Sequence, residues 1–239
     1  PLSSSQKRFW VLSQFDKSSN AHNINEFFEI EGYIDVNNFK ASVKYLVEKH
    51  EILRTSFKIV DGVPRQFIGD IESIDLDAFL EFRLVKKTEI EPVLFEIKNT
   101  VFELSSLPLF KAVLLKTNEN SSILTLSFHH ILVDAWSIDL LFAEFLSVYQ
   151  GLCKGAEIVN ETLEIQYKDF SVWQENQLID DVNASKEYWI NQFTATEISK
   201  LDFASTKGRP KEKTFNGDSL SIEITNEIFD VLQATNRKA

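Results

Sequence analysis

The sequence predicts a fold of the α/β (α+β) class, in which helices and strands alternate along a chain of 239 residues. Two observations lead to this prediction. Hydrophobic residues make up 44% of the sequence and charged residues 26%, a balance typical of a folded domain rather than of a disordered chain. Segments with the two-residue period of strands also alternate with segments of helical period, which is typical of mixed domains.

In the first half of the chain, capping and turn residues mark the predicted elements. Serines before an apolar pattern predict an amphipathic helix from Ser4 to Phe15, and Asp35 can cap a second helix. The pair Asp61-Gly62 favours a tight turn within a hairpin from Phe57 to Ile68. The remaining predicted elements are two strands and one helix, at Asn23 to Glu31, Phe82 to Val85 and Glu91 to Phe102.

In the second half, two apolar segments, Leu109 to Lys116 and Ile123 to His130, are predicted as strands joined by a polar turn. After Asp134 the apolar spacing becomes helical. The later predicted elements are two helices at Tyr167 to Leu178 and Ser185 to Phe193, a polar connection at 199–217, a strand at Leu220 to Ile224 and a helix from Ile228 to Ala234.

Composition excludes several classes of function. A net charge of −11 argues against nucleic-acid binding, because phosphate contacts need clustered Lys and Arg. No apolar run reaches the roughly 18 residues that a membrane span needs. The single Cys153 excludes an intrachain disulfide and a cysteine-based metal site; we expect it to be inert and the protein to be cytoplasmic. The sequence has no Met and no signal-peptide pattern, and we therefore interpret it as a segment of a longer polypeptide.

The most informative stretch is the end of the second apolar strand, where His129 and His130 are followed by Asp134 and a helix. Neighbouring strand residues point to opposite faces, so one imidazole can face a cavity while the other packs or hydrogen-bonds. The spacing alone leaves two interpretations open, a packed pair and a functional site. Two adjacent histidines do not easily share one ion, which disfavours a metal site, and Asp134 taken alone is a helix N-cap.

Four motifs carry a resemblance to a known family. The stretch from His129 to Ser137 resembles the HHxxxDG signature of the condensation domains of nonribosomal peptide synthetases, with Ala135 in place of Gly. Three more motifs are similar to those of the family and come in the same order: SxAQxRxW at Ser3 to Trp10, RHExLRTxF at Lys49 to Phe57, and YxDYAxW at Tyr167 to Trp173. Ser5 replaces Ala in the first of these and Lys49 replaces Arg in the second.

The resemblance implies a two-layer sandwich of the chloramphenicol-acetyltransferase-like superfamily. Residues 1–178 would form the N-terminal lobe of a V-shaped, two-lobe domain. Residues 179–239 would supply the connecting helix, a linker and the truncated start of the C-terminal lobe. The implied activity is amide-bond formation between a donor acyl or peptidyl thioester and an acceptor aminoacyl thioester, both on carrier proteins. The fragment alone is expected to be inactive, because half of the cleft is missing.

By the same resemblance, His130 is the catalytic residue, acting either as a general base or as the group that positions the amine. His129 and Asp134 are expected to support the loop that carries it. Asp134 is expected to pair with Arg54, which taken alone is equally an exposed charge at a helix end.

The candidate channel-lining residues are Ala135, Trp136 and Ser137, although the size and helical spacing of Trp136 favour a place in the core. No metal and no bound cofactor are expected, since the substrates would arrive on the phosphopantetheine of carrier proteins. The implied partners are donor and acceptor peptidyl carrier proteins, an adjoining adenylation domain and the missing C-terminal lobe, with no nucleic acid and no membrane.

Three alternatives stay open at this point. An epimerisation domain shares the signature and would deprotonate an α-carbon. A non-catalytic module that binds a carrier or another partner would retain the fold without the chemistry. A stand-alone acyltransferase would use coenzyme A.

Overall fold

A four-stranded sheet organises the larger part of the computed structural model, which describes residues 1–16, 19–159, 162–194 and 220–237. The strand order is β1-β6-β5-β4; β4 runs parallel to β5, and the other neighbours are antiparallel. A separate hairpin is formed by β2 and β3. The strands are β1 (Asn23–Glu31), β2 (Thr55–Val60), β3 (Val63–Ile68), β4 (Leu80–Leu84), β5 (Phe110–Asn118) and β6 (Ser121–His129).

Six α-helices occur in the described residues. They are α1 (Ser4–Phe15), α2 (Val36–Lys49), α3 (Ile90–Lys98), α4 (Ala135–Cys153), α5 (Tyr167–Thr194) and α6 (Asn226–Asn236). The chain divides into two compact units, Pro1–Glu197 and Ile198–Ala239, and the second unit contains α6. No helix within the described ranges is both long and apolar enough to cross a membrane.

The core lies between the sheet and the pair α2 and α4, which pack against each other. Strand β5 is a nearly continuous apolar run because it is covered on both faces. Ala112 and Leu114 face the main core, whereas Val113 and Leu115 join a smaller cluster with α3 on the opposite face. The prediction of a mixed α/β fold is confirmed.

An ion-pair cluster ties the end of α2 to α4. The carboxylate of Glu144 accepts hydrogen bonds from Lys49 Nζ and from His50 Nε2, the latter at 2.5 Å. Burial alone would raise the pKa of Glu144, but the hydrogen bonds and the charges of Lys49 and His50 together outweigh it and hold that pKa below its usual range. Gln166 extends the contact to the start of α5, because its side-chain amide donates to the Lys49 carbonyl oxygen at 2.8 Å. The cluster therefore fixes the helix that follows the histidine pair.

Most of the elements predicted from the sequence are confirmed. The hairpin turn is an example in which local residue preferences determine the structure. Asp61 and Gly62 have φ angles of 50° and 76°. Such positive values at both central positions give the tight turn that joins twisted strands, and Asp and Gly tolerate them best. Helix α1 and strand β1 have the predicted limits.

Three predictions of secondary structure are wrong. Residues 167–194 form one helix rather than two, because no Gly or Pro interrupts the chain there. The helix expected to reach Phe102 ends at Lys98, where the Asn99 side chain donates to the Phe95 carbonyl oxygen. Leu220 to Ile224 are not a strand, since they pair with no strand of the described residues. The predicted connection at 199–217 lies outside the described residues.

Candidate active site

The candidate site is the turn between β6 and α4. Strand β6 ends at His129, and the backbone N–H of His130 still donates to the carbonyl oxygen of His22 at 2.8 Å. The Leu132 N–H then bonds back to the His129 carbonyl oxygen at 3.0 Å, which closes the turn. Ile131, Leu132 and Val133 are buried in the main core. The apolar segment between the histidines and Asp134 therefore anchors the turn.

His129 is the buried member of the pair, with 5% of its surface exposed. Its Nδ1 accepts a hydrogen bond from the Ile131 N–H at 3.1 Å, so the neutral ring carries its proton on Nε2. Burial, together with the smaller effect of the neighbouring imidazoles of His22 and His130, lowers the pKa of His129 to about 4. His129 is therefore neutral at pH 7 and poorly suited to hold a proton there.

His130 has the opposite arrangement. Its Nδ1 lies 2.8 Å from the carbonyl oxygen of Val133, which can only accept, so Nδ1 carries the proton. Nε2 is then left with its lone pair, and it forms no hydrogen bond with any residue that the structure describes. Such a nitrogen can accept a proton or bind an N–H group of a substrate.

Each histidine lines a different pocket. His130 lines a space of about 360 Å³ between the turn, α1 and the start of α5. His129 lines a neighbouring space of about 860 Å³, which it shares with His22 and residues of α1 and β2. The two imidazoles therefore serve different cavities, as the alternation along a strand predicts. The lining of the first pocket comprises Ser5, Gln6, Phe9, His130, Ile131, Leu132, Val133, Asp134, Ser137 and Tyr167.

Asp134 is the N-cap of α4. Its Oδ1 accepts from the Ser137 N–H at 2.8 Å and from the Ser137 hydroxyl at 2.6 Å. Both hydrogen bonds favour the ionised carboxylate, and they lower the pKa of Asp134. A carboxylate held in this form does not exchange protons near pH 7, so its contribution is to the geometry of the turn.

The expected ion pair between Asp134 and Arg54 is wrong. The guanidinium of Arg54 donates to the carbonyl oxygens of Val47 and Gly69, at 3.2 and 2.6 Å, and lies 4.0 Å from the Glu51 carboxylate. Arg54 therefore ties the end of α2 to the end of β3. Within the described part of the chain no ion pair joins it to Asp134, whose Oδ1 accepts from Ser137 instead. Arg54 is also no exposed helix-end charge, since its side chain is only 15% exposed.

The three candidate channel residues are arranged differently from one another. Ser137 lines the pocket of His130, whereas Ala135 and Trp136 are exposed and are not among its lining residues. Trp136 is 75% exposed, so the alternative that places it in the core is wrong. Its position in the first turn of α4 leaves its side chain outside the helix face that packs on the sheet.

The site also contains residues to which sequence reasoning assigned no role in it. The ring of Phe9 stacks on the ring of His130, with centroids 4.5 Å apart and planes at 24°. Tyr167 lines the same pocket, and its hydroxyl lies 2.9 Å from that of Ser3. Both residues lie within motifs that resemble those of the family. Their place in these motifs is the sequence signal from which a position in the site could have been predicted.

Metal ligands are not grouped in the part of the chain that the structure describes. No three His, Cys, Asp or Glu side chains there lie close enough together to hold an ion.

Similarity to known proteins extends over almost the whole chain. Residues 1–238 match the family described as Condensation domain. Over 97% of its length the chain is 33% identical to gramicidin S synthase 2 of Brevibacillus brevis and 34% identical to tyrocidine synthase 3 of Brevibacillus parabrevis. It spans only 5% and 3% of those two proteins.

Solved structures match the fold. The X-domain from teicoplanin biosynthesis superposes with a TM-score of 0.75 and 22% identity, over 88% of this chain and 46% of that one. The starter condensation domain of the rhizomide synthetase RzmA superposes with a TM-score of 0.71 and 21% identity, over 83% of this chain and 48% of that one. The fold of the chain is therefore the fold of a large part of these domains.

Proposed function

The chain belongs to the condensation-domain family of nonribosomal peptide synthetases, and on that premise we propose that it carries the histidine of a site for amide-bond formation. The donor is an acyl or peptidyl thioester, and the acceptor is the amine of an aminoacyl thioester. The observation that supports this proposal best is the hydrogen bond from His130 Nδ1 to the Val133 carbonyl oxygen. It leaves Nε2 as an acceptor on a residue that lines a pocket at the end of β6.

The reaction needs one proton to be moved. The amine nitrogen attacks the thioester carbonyl carbon, a C–N bond forms, and the C–S bond breaks as the thiolate leaves. Nε2 of His130 takes the proton that the nitrogen loses and returns a proton to the thiolate, so the imidazole ends as it began. An α-amine has a pKa of about 7.7–8.0, so roughly a tenth of it is already neutral at pH 7. A base is therefore most useful at the cationic intermediate.

The same nitrogen can also serve without removing a proton. If Nε2 accepts a hydrogen bond from the amine, it aims the nitrogen lone pair at the carbonyl carbon, and orientation of this kind lowers a barrier by several kcal/mol. In both roles, His129 and Asp134 support the turn from the strand end and from the helix end. Ser137 lines the pocket that a substrate arm would enter, whereas Ala135 and Trp136 are exposed outside its lining.

The remainder of the site is proposed to come from outside this chain. The chain spans 46% and 48% of the two solved domains it was compared with, so a complete domain of that kind has further residues to close a cleft. Donor and acceptor carrier proteins would present the thioesters on phosphopantetheine, beside an adenylation domain. No cofactor is required on this chain, and without the rest of the cleft it is expected to form no product.

The experiment supplies the complete protein with both loaded carriers and analyses the product on the acceptor carrier by mass spectrometry. Amide-linked product is expected. An acceptor that is returned unacylated but with its α-hydrogen exchanged for solvent deuterium would support epimerisation instead. Carrier binding without product or exchange would support a non-catalytic module, and product formed with coenzyme A thioesters alone would support a free acyltransferase.

A further inference from the structure

The ring of His130 is held by more than its hydrogen bond. The covalent bond to Cβ and the hydrogen bond at Nδ1 hold two points of the imidazole, but neither occupies the space on the two faces of the ring. The backbone contact between the His130 N–H and the His22 carbonyl oxygen fixes the main chain and not the ring. A group packed against one face of the ring would narrow the remaining movement of its plane, and with it the direction of Nε2.

Phe9 is the group that meets the face of this ring. The centroids of the two rings lie 4.5 Å apart, and the planes differ by 24°. Phe9 is itself oriented, because it packs against the main core and its ring meets His22 in an edge arrangement at 5.6 Å and 67°. A flat face opposed to the imidazole at van der Waals distance blocks tilting in that direction.

We propose that Phe9 is a positioning residue, which sets the plane of the His130 ring and so the direction of Nε2. This inference rests on the proposed function, in which Nε2 meets the reacting nitrogen. An aliphatic side chain can fill the same volume, but it offers no flat face. In this chain the contact with His130 is therefore expected to depend on the aromatic ring of Phe9 and not on its apolar character alone.

Helix α1 offers a matched control. Phe15 is on the same helix and is 84% exposed, so its replacement tests the general effect of removing a phenylalanine from α1. We would compare Phe9→Leu, Phe9→Tyr and Phe15→Leu in the complete protein with loaded carriers. Phe9→Leu is expected to lower kcat about 10-fold and to change KM for either carrier less than about twofold, because orientation and not binding is lost. The kcat of Phe9→Tyr is expected to stay within about twofold of the parent value, and the kcat of Phe15→Leu is expected to equal the parent value.

A spectroscopic measurement tests the contact without turnover. In protein labelled on its histidines, the ring protons of His130 lie over the face of Phe9 and are shifted upfield by its ring current. The signal is assigned by its loss in His130→Gln. It is expected to move downfield in Phe9→Leu and to stay in place in Phe9→Tyr and Phe15→Leu. Should Phe9→Leu fail to fold, as judged by circular dichroism, Phe9→Met takes its place in both measurements.

The outcomes separate the two proposals. An unchanged kcat in Phe9→Leu or Phe9→Met, or an equal loss in Phe9→Tyr, overturns the positioning role even if His130 proves essential. An unmoved His130 signal in Phe9→Leu overturns the contact itself. Full activity in His130→Ala overturns the proposed function, whereas the spectroscopic result stands apart from it.

Discussion

At the scale of single residues, two adjacent histidines differ because their Nδ1 atoms meet different backbone groups. An N–H of Ile131 faces Nδ1 of His129, and a carbonyl oxygen of Val133 faces Nδ1 of His130. One ring is thereby set as a buried neutral support. The other ring keeps an acceptor nitrogen, Nε2, that no residue of the described ranges contacts by a hydrogen bond. The type of residue is the same, so the difference in role comes entirely from the turn.

The buried ring predicts a dependence of stability on pH. Between pH 6.5 and about 4 the unfolded chain protonates His129 and the folded chain does not, so this contribution to stability is complete above pH 6.5 and is lost as the pH falls. The loss reaches about 2–3 kcal/mol near pH 4.5. Urea unfolding at pH 7.5 and 4.5 measures it, with His129→Gln as the comparison. The parent should lose more stability than the variant, and equal losses would contradict the neutral buried ring.

Some of these residues were accessible from the sequence, and others were not. The pair of histidines at a strand end and the Asp at a helix start are local patterns, so their positions could be predicted. The stacking of Phe9 on His130 joins residues that are distant in the sequence. It depends on how α1 packs beside the turn, which no local pattern specifies.

At the scale of elements, helix α4 begins where it does because the Asp134 side chain caps it by accepting a hydrogen bond from the Ser137 N–H. Local signals of this kind also predicted α1, the hairpin turn and the start of α2. The partner of Arg54 was missed for the opposite reason. Its contacts with Val47 and Gly69 depend on the path of the chain between α2 and β3, and a charged residue gives no indication of which distant group it meets.

Asp134, the N-cap of α4, and Arg54 are expected to contribute independently to the free energy of unfolding. Asp134→Ala should lower the free energy of unfolding by about 1 kcal/mol, and Asp134→Ser should recover most of that loss, because Ser is also a good N-cap. In a double-mutant cycle with Arg54→Ala, the two losses should add to within about 0.5 kcal/mol. Chemical denaturation of the four proteins measures the coupling. A coupling energy of about 2 kcal/mol or more would contradict the structure, because it would mean that Asp134 and Arg54 form an ion pair after all.

At the scale of the whole molecule, the sheet, the α2–α4 pair and the turn form one anchored support for His130. The ion-pair cluster at Glu144 fixes α4, and the buried residues between the histidines and Asp134 fix the turn. The support is complete within residues 1–197, although the chain spans less than half of the solved domains that it matches. The sequence motifs predicted the family, but only the structure shows that the motifs supply walls of the pocket or its supports.

The most direct measurement is the single-turnover rate of amide formation by the complete protein, with both carriers loaded, for the parent and for His130→Ala. Removing the only nitrogen proposed to handle the proton should lower this rate at least about 100-fold. The affinity for the carriers should stay unchanged, which separates lost chemistry from lost binding. A rate within about twofold of the parent would contradict the account, because the turn would then hold His130 in place for some purpose other than the reaction.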